Sequence, residues 1–124
     1  MFILGIDPGQ SGAIAWVDSD GFVRAEKMPE GMSAQADFLH DLVIGRAGAT
    51  AYLERTGTYQ PGNSGPGSVT FARHCGNLEG ILYVLGVSTE QIAPSKWQAG
   101  LGKFPKEKLI RKREIKEAMA RRYP

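Results

Sequence analysis

Two carboxylates each close an apolar, strand-forming run, at positions where they could do chemistry. Asp7 follows the run Phe2 to Ile6 and precedes Pro8-Gly9, which turns the chain sharply away and leaves the carboxylate uncovered. Glu54 ends the run Thr50 to Glu54, just ahead of Gly57 to Gly67, a stretch holding four Gly and two Pro. If the two strands are parallel neighbours, their backbones lie about 4.8 Å apart. Their continuations then diverge, one into a hairpin and the other into the Gly-rich stretch, and open α/β sheets place their ligands at such switch points. Two carboxylates at that spacing repel, and one is driven toward protonation unless a cation intervenes. Mg2+ and Mn2+ favour carboxylate oxygens and water, so Asp7 and Glu54 are the candidate metal ligands and the candidate catalytic pair. The plainer alternatives are a turn-forming Asp before Pro-Gly and an ion pair between Glu54 and Arg55. Gly12, five residues beyond Asp7, permits close approach of a ligand or of neighbouring backbone.

The elements that must position this pair are legible in outline. Phe2 to Ile6, Ala13 to Val17 and Phe22 to Lys27 read as an antiparallel meander, with Asp18 and Asp20 flanking Gly21 in the second turn. Ser33 is a plausible N-cap for a helix from about Ala34 to Gly45, with Phe38, Leu39, Leu42 and Val43 on one face and Gly45 or Gly48 as its stop. A crossover helix ahead of Thr50 to Glu54 makes that strand a parallel neighbour of the first. Phe71, Cys75, Leu78, Leu82 and Leu85 recur at helical spacing and predict a long amphipathic helix from about Ser68 to Leu85, closed by Gly86. His74 lies well inside it, where a structural role is favoured over metal ligation or base catalysis. A fifth strand falls within Val87 to Ala93. A short helix is predicted over Ser95 to Leu101 and a longer basic one over Lys106 to Arg122. The order β-β-β-α-β-α-β-α-α implies one domain over residues 1–124: a mixed five-stranded sheet with its first strand central and helices on its faces.

Bulk properties narrow the setting. The chain of 124 residues suits one core, and its 42% hydrophobic and 23% charged content is ordinary for a globular protein. No apolar run approaches the roughly 20 residues a membrane span needs, and no signal-peptide pattern opens the chain, so no membrane partner is expected. Cys75 is the only cysteine, which leaves no intrachain disulfide and no Cys-based zinc site and points to the cytoplasm. The net charge of +2 conceals an asymmetry: from Lys103 onward nine Lys/Arg face three Glu, whereas the preceding residues carry a net −4. A basic segment on an acidic body fits a polyanionic partner; a solvated helix face is the alternative.

Ile3-Leu-Gly-Ile-Asp-Pro-Gly-Gln-Ser-Gly-Ala13 resembles the first motif of RuvC-like Holliday-junction resolvases, of the ribonuclease-H-like superfamily, and Tyr52-Leu-Glu-Arg-Thr56 resembles their second. Pro94-Ser-Lys-Trp97 and the basic helix ending Arg-Arg-Tyr-Pro124 are similar to the phage-type branch. The resemblance implies a ribonuclease-H-like fold and hydrolysis of DNA phosphodiesters with two Mg2+ or Mn2+ ions. Asp7 would bridge both ions and Glu54 would hold one. It also implies a branched DNA substrate and a homodimer, because symmetric cleavage of a four-way junction needs two sites related by a twofold axis; part of the long helix is the expected dimer face. One departure matters. The family carries a further acidic motif near its C-terminus, whereas no Asp follows Asp41 here, and Glu107, Glu114 and Glu117 sit among basic residues as expected i,i+3 or i,i+4 partners. The expectation is therefore a domain without that last motif.

For nucleic acid, Tyr59 is placed to stack on an unpaired base, and Lys96 to contact the scissile strand. Trp97 beside it is expected to pack. Lys103, Lys106, Lys108, Arg111, Lys112 and Arg113 would meet phosphates electrostatically. Two other readings compete: a non-catalytic nucleic-acid-binding module on the same fold, and a fragment of an actin/hexokinase-like phosphotransferase. The latter also opens with a strand ending in Asp-x-Gly but requires a second domain, for which 124 residues leave no room.

Overall fold

In a computed structural model of the chain, residues 2–17, 20–46, 48–54, 65–93, 96, 110, 113, 114 and 117 are described. The chain divides into two compact units, Met1–Gln91 and Ile92–Pro124.

The first unit is built on the meander. Strands β1 (Phe2–Asp7), β2 (Ala13–Val17) and β3 (Val23–Lys27) pair antiparallel in sequence order. Helix α1 (Met32–Val43) then carries the chain back to β4 (Ala49–Glu54), which lies parallel to β1 on its other side. Helix α2 (Gly65–Val84) leads to β5 (Ser88–Ile92), giving the sheet order β3-β2-β1-β4-β5. As the sequence predicts, β1 is central.

Strand alternation decides what each face carries. Phe2, Leu4 and Ile6 of β1 and Ala49, Ala51 and Leu53 of β4 are buried, and Ile3, Gly5, Asp7, Thr50, Tyr52 and Glu54 take the opposite face. Leu39 and Val43 of α1 and Leu78 and Leu82 of α2 join the buried set, so the two helices cover that side of the sheet. Trp16 meets Phe38 edge-on at 5.8 Å, and the Arg46 guanidinium lies 4.2 Å from the centre of the Phe2 ring. Every residue of β3 is exposed, and Arg24, Glu26 and Lys27 blunt that sheet edge against pairing with other chains.

Two boundaries differ from the sequence reading. Helix α1 begins at Met32, so Ser33 sits in its first turn rather than capping it; Gly31 is the N-cap, at φ 87°, and no side chain caps the helix. That backbone region strongly favours glycine. Helix α2 begins at Gly65, three residues ahead of the predicted start. The Gly and Pro residues there read as loop formers, yet proline is at home in a first helical turn, where its missing N–H has no intrahelical role. The stops agree with expectation: Gly45 and Gly86 both lie at φ 74°, just past the ends of α1 and α2.

In the second unit, Lys96 is helical and exposed, and its N–H donates to the Ala93 carbonyl at 2.9 Å. Ile110, Arg113, Glu114 and Glu117 are helical too, consistent with the predicted C-terminal helix.

Candidate metal centre

The β1–β4 ladder runs from Phe2 opposite Ala49 to Ile6 opposite Leu53. Asp7 and Glu54 are the next residues on the two strands and the last of each. Both belong to the face away from α1 and α2, since each is one step past a buried residue on its strand. Asp7 is exposed and Glu54 half-buried. The two carboxylates thus lie at the same end of two adjacent parallel strands and on one face of the sheet. Among the described residues no group of three or more His, Cys, Asp or Glu that could hold a metal ion gathers in one place.

The turn that carries Asp7 is held firmly. Gly12 N–H donates to the Gly9 carbonyl at 3.1 Å, and Met28 N–H donates to the Gly12 carbonyl at 3.0 Å. Gly12 lies against the main chain of Asp7: a Cβ there would collide with the Asp7 carbonyl oxygen and come within 2.9 Å of its carbon. Of the two roles the sequence allows Gly12, close approach of neighbouring backbone is the one observed. Gly9 lies at φ 110°, with the Phe71 ring 3.6 Å from where a Cβ would stand.

His74 is the residue whose connections the sequence did not reveal. Its Nδ1 accepts from Gly9 N–H at 3.0 Å, and its Nε2 lies 3.1 Å from Gln35 Oε1. A backbone amide can only donate, so Nδ1 carries no proton and Nε2–H donates to Gln35. Gln35, 6% exposed, completes the chain by donating from its own amide to the Pro29 carbonyl at 2.9 Å. Both ring nitrogens are thus engaged, leaving no lone pair for a metal or a proton, and the structural role expected for His74 stands. Burial lowers its pKa from the ordinary 6.5, in keeping with a neutral ring. Next to it, burial and then the charge of Glu79 raise the Cys75 thiol pKa, and Glu54 adds a smaller repulsion in the same direction. Cys75 is accordingly a thiol rather than a thiolate nucleophile.

An open cleft of about 810 Å³ adjoins this turn, with Gly9, Met28, Gln35, Phe71 and His74 among its walls. Asp20 behaves as a turn residue: its Oδ1 accepts from Phe22 N–H at 3.0 Å, and its Oδ2 pairs with Arg24 at 3.4 Å. Among the candidate nucleic-acid contacts, Lys96 and Arg113 are exposed residues of the second unit. Tyr59, Trp97, Lys103, Lys106, Lys108, Arg111 and Lys112 lie outside the described residues, as do Asp18, Arg55 and Glu107.

No family model matches the chain, and no curated protein does. Solved structures do. RuvC of Thermus thermophilus in complex with a Holliday junction substrate superposes with a TM-score of 0.54 at 16% identity, over 82% of this chain and 70% of that one. A second Thermus thermophilus RuvC structure gives 0.50 at 18% identity, over 86% and 74%. The fold is the ribonuclease-H-like fold of RuvC. The mixed five-stranded sheet expected from the resemblance is the one observed. Among the described residues, no helix is long and apolar enough to cross a membrane.

Proposed function

We propose that the protein is a divalent-metal-dependent endonuclease that hydrolyses phosphodiesters in branched DNA, a Holliday-junction resolvase of the phage-type branch acting as a single domain. The observation that carries this reading is the β1–β4 register, which runs to Ile6 opposite Leu53, the residues immediately before Asp7 and Glu54. The RuvC fold supports it, as does the junction bound by one of the RuvC structures.

The donor set suits Mg2+ or Mn2+: two carboxylates, with room for water around the exposed Asp7. Asp7 would bridge two ions and Glu54 would hold one of them. When bound, such ions activate a water and stabilise the leaving 3′-oxygen. The protein's own part is to orient the pair. Gly12 packs against the Asp7 main chain, and the parallel ladder sets Ile6 and Leu53, the residues just before the pair, opposite each other. Lys96, Lys103, Lys106, Lys108, Arg111, Lys112 and Arg113 would hold phosphates, and Tyr59 would stack on an unpaired base. A homodimer is the matching assembly. Tyr83 and Val84 of α2, 85% and 83% exposed, give its partner surface, alongside Gly76 and Gly80 on the same helix.

The test is cleavage of labelled four-way junctions and matched linear duplexes in Mg2+ or Mn2+, by the 124-residue chain and by its natural open reading frame. Junction cutting that disappears in Asp7→Asn and in Glu54→Gln is expected. DNA binding without cutting in both forms would favour the non-catalytic binding module. Cutting untouched by Asp7→Asn would remove the metal pair from the mechanism.

A further inference from the structure

We propose that His74 is a positioning residue for the metal pair, clamping the turn after Asp7 to both helices; this rests on the nuclease reading above. The clamp is a chain of three hydrogen bonds in which every donor meets an acceptor. Gly9 N–H donates to His74 Nδ1 at 3.0 Å, His74 Nε2–H to Gln35 Oε1 at 3.1 Å, and the Gln35 amide to Pro29 O at 2.9 Å. It joins four separate pieces of chain: the β1–β2 turn, α2, α1 and the β3–α1 connection. The first two bonds span 65 and 39 residues of sequence, so local propensity cannot supply them.

The clamped amide belongs to Gly9, two residues beyond Asp7. Inside the turn the Gly12–Gly9 hydrogen bond holds the loop's shape, but it does not fix where the loop sits relative to the rest of the molecule. Two contacts supply that placement: Met28 N–H on the Gly12 carbonyl ties the far end of the turn to the β3–α1 connection, and His74 ties its near end, at Gly9, to α2. Asp7 pairs with Ala13 across the β1–β2 ladder, and β4 pairs with β1 as far as Leu53, the residue before Glu54. What the ladders leave unset is the path of the chain at Pro8 and Gly9, and a shift there acts on Asp7 and its distance from Glu54. A metal-binding pair tolerates little of this, because functional groups must be held within about 0.5 Å of their working geometry. Glycine is what allows the contact: Gly9 at φ 110° turns its N–H toward the ring, and Phe71 occupies the space beside it.

The test compares three substitutions. His74→Leu removes both hydrogen bonds. His74→Asn sets an amide oxygen close to the position of Nδ1 and restores the bond from Gly9. His74→Gln reaches the Nε2 position instead and restores only the Gln35 side. A purely structural role would treat Asn and Gln alike. The readouts are Mn2+ affinity measured by electron paramagnetic resonance, hydrogen exchange of the Gly9 amide, and the thermal midpoint. His74→Leu is expected to weaken Mn2+ binding by about tenfold, as lost outer-shell partners do at metal sites, and to expose the Gly9 amide to exchange. Asn should recover both properties and Gln neither, at similar thermal midpoints. Wild-type Mn2+ affinity and Gly9 protection in His74→Leu, or equal rescue by Asn and Gln, would overturn the proposal; if His74→Leu does not fold, the Asn–Gln comparison decides it. Wild-type protein whose Mn2+ binding does not depend on Asp7 would instead overturn the nuclease reading, with Gly9 exchange still reporting on the clamp.

Discussion

Gly12→Ala should damage this protein far more than the addition of one methyl group suggests. A Cβ at position 12 would occupy the space of the Asp7 carbonyl oxygen, with the Asp7 and Pro8 carbonyl carbons at 2.9 and 3.0 Å. The obstacle is main chain, which cannot swing aside as a flexible side chain would. The turn is also pinned on both sides, by Gly12 N–H on Gly9 and by Met28 N–H on Gly12. Overpacking costs about 1–3 kcal/mol in general, and with no soft neighbour to yield we expect the upper end, about 3 kcal/mol. At roughly 4 °C per kcal/mol for a domain of this size, the thermal midpoint falls by about 12 °C. Gly5→Ala is the control. It lies on the same strand, with nothing within 4 Å of a Cβ among the described residues. Glycine in a strand interior is worse than alanine by roughly 0.5–1 kcal/mol, so that variant should melt higher by about 2–4 °C. Thermal denaturation followed by circular dichroism reads both. A Gly12→Ala midpoint within about 2 °C of wild type would refute the reasoning, because it would mean that the turn relaxes at almost no cost.

Three further outcomes follow from the same geometry. Leu53→Ala should cost about 2–5 kcal/mol in urea unfolding, since Leu53 is fully buried immediately before Glu54; a loss below about 1 kcal/mol would mean the site collapses around the gap. Burial lowers the folded pKa of His74 below 6.5, so the unfolded chain binds the proton more readily. The stability this represents is present above about pH 6.5 and is lost as pH falls toward the folded value, so wild type should lose more stability between pH 7 and 5 than His74→Asn does; equal slopes would contradict this. Tyr83→Lys should shift sedimentation toward monomer if α2 forms the dimer face, and an unchanged profile would move that face elsewhere.

Asp7 and Glu54 could be found in the sequence because strand ends and turn residues are local signals. Phe2 to Ile6 carries its own strand propensity, and Pro8-Gly9 stops it without help from the rest of the chain. The crossover helix then makes a parallel return next to β1 the simplest topology, and the observed order follows it. Element boundaries were less legible. Ser33 looked like a cap because serine favours that role, but Gly31 adopts a backbone region that serine does not, and Gln35 is held in place by Pro29 and His74 from outside the helix. The start of α2 was hidden by Gly and Pro, whose ordinary meaning is loop.

By itself, then, the sequence determined the order of the sheet's elements and the positions of Asp7 and Glu54 at the ends of two strands, because each depends on residues near one another along the chain. The tertiary structure alone decided how the turn after Asp7 is held. That Gly12 yields to the Asp7 carbonyl, and that His74 bridges Gly9 and Gln35, are consequences of packing between segments up to 65 residues apart. No local pattern encodes such a contact, since a histidine inside an amphipathic helix reads the same whichever partner its nitrogens find.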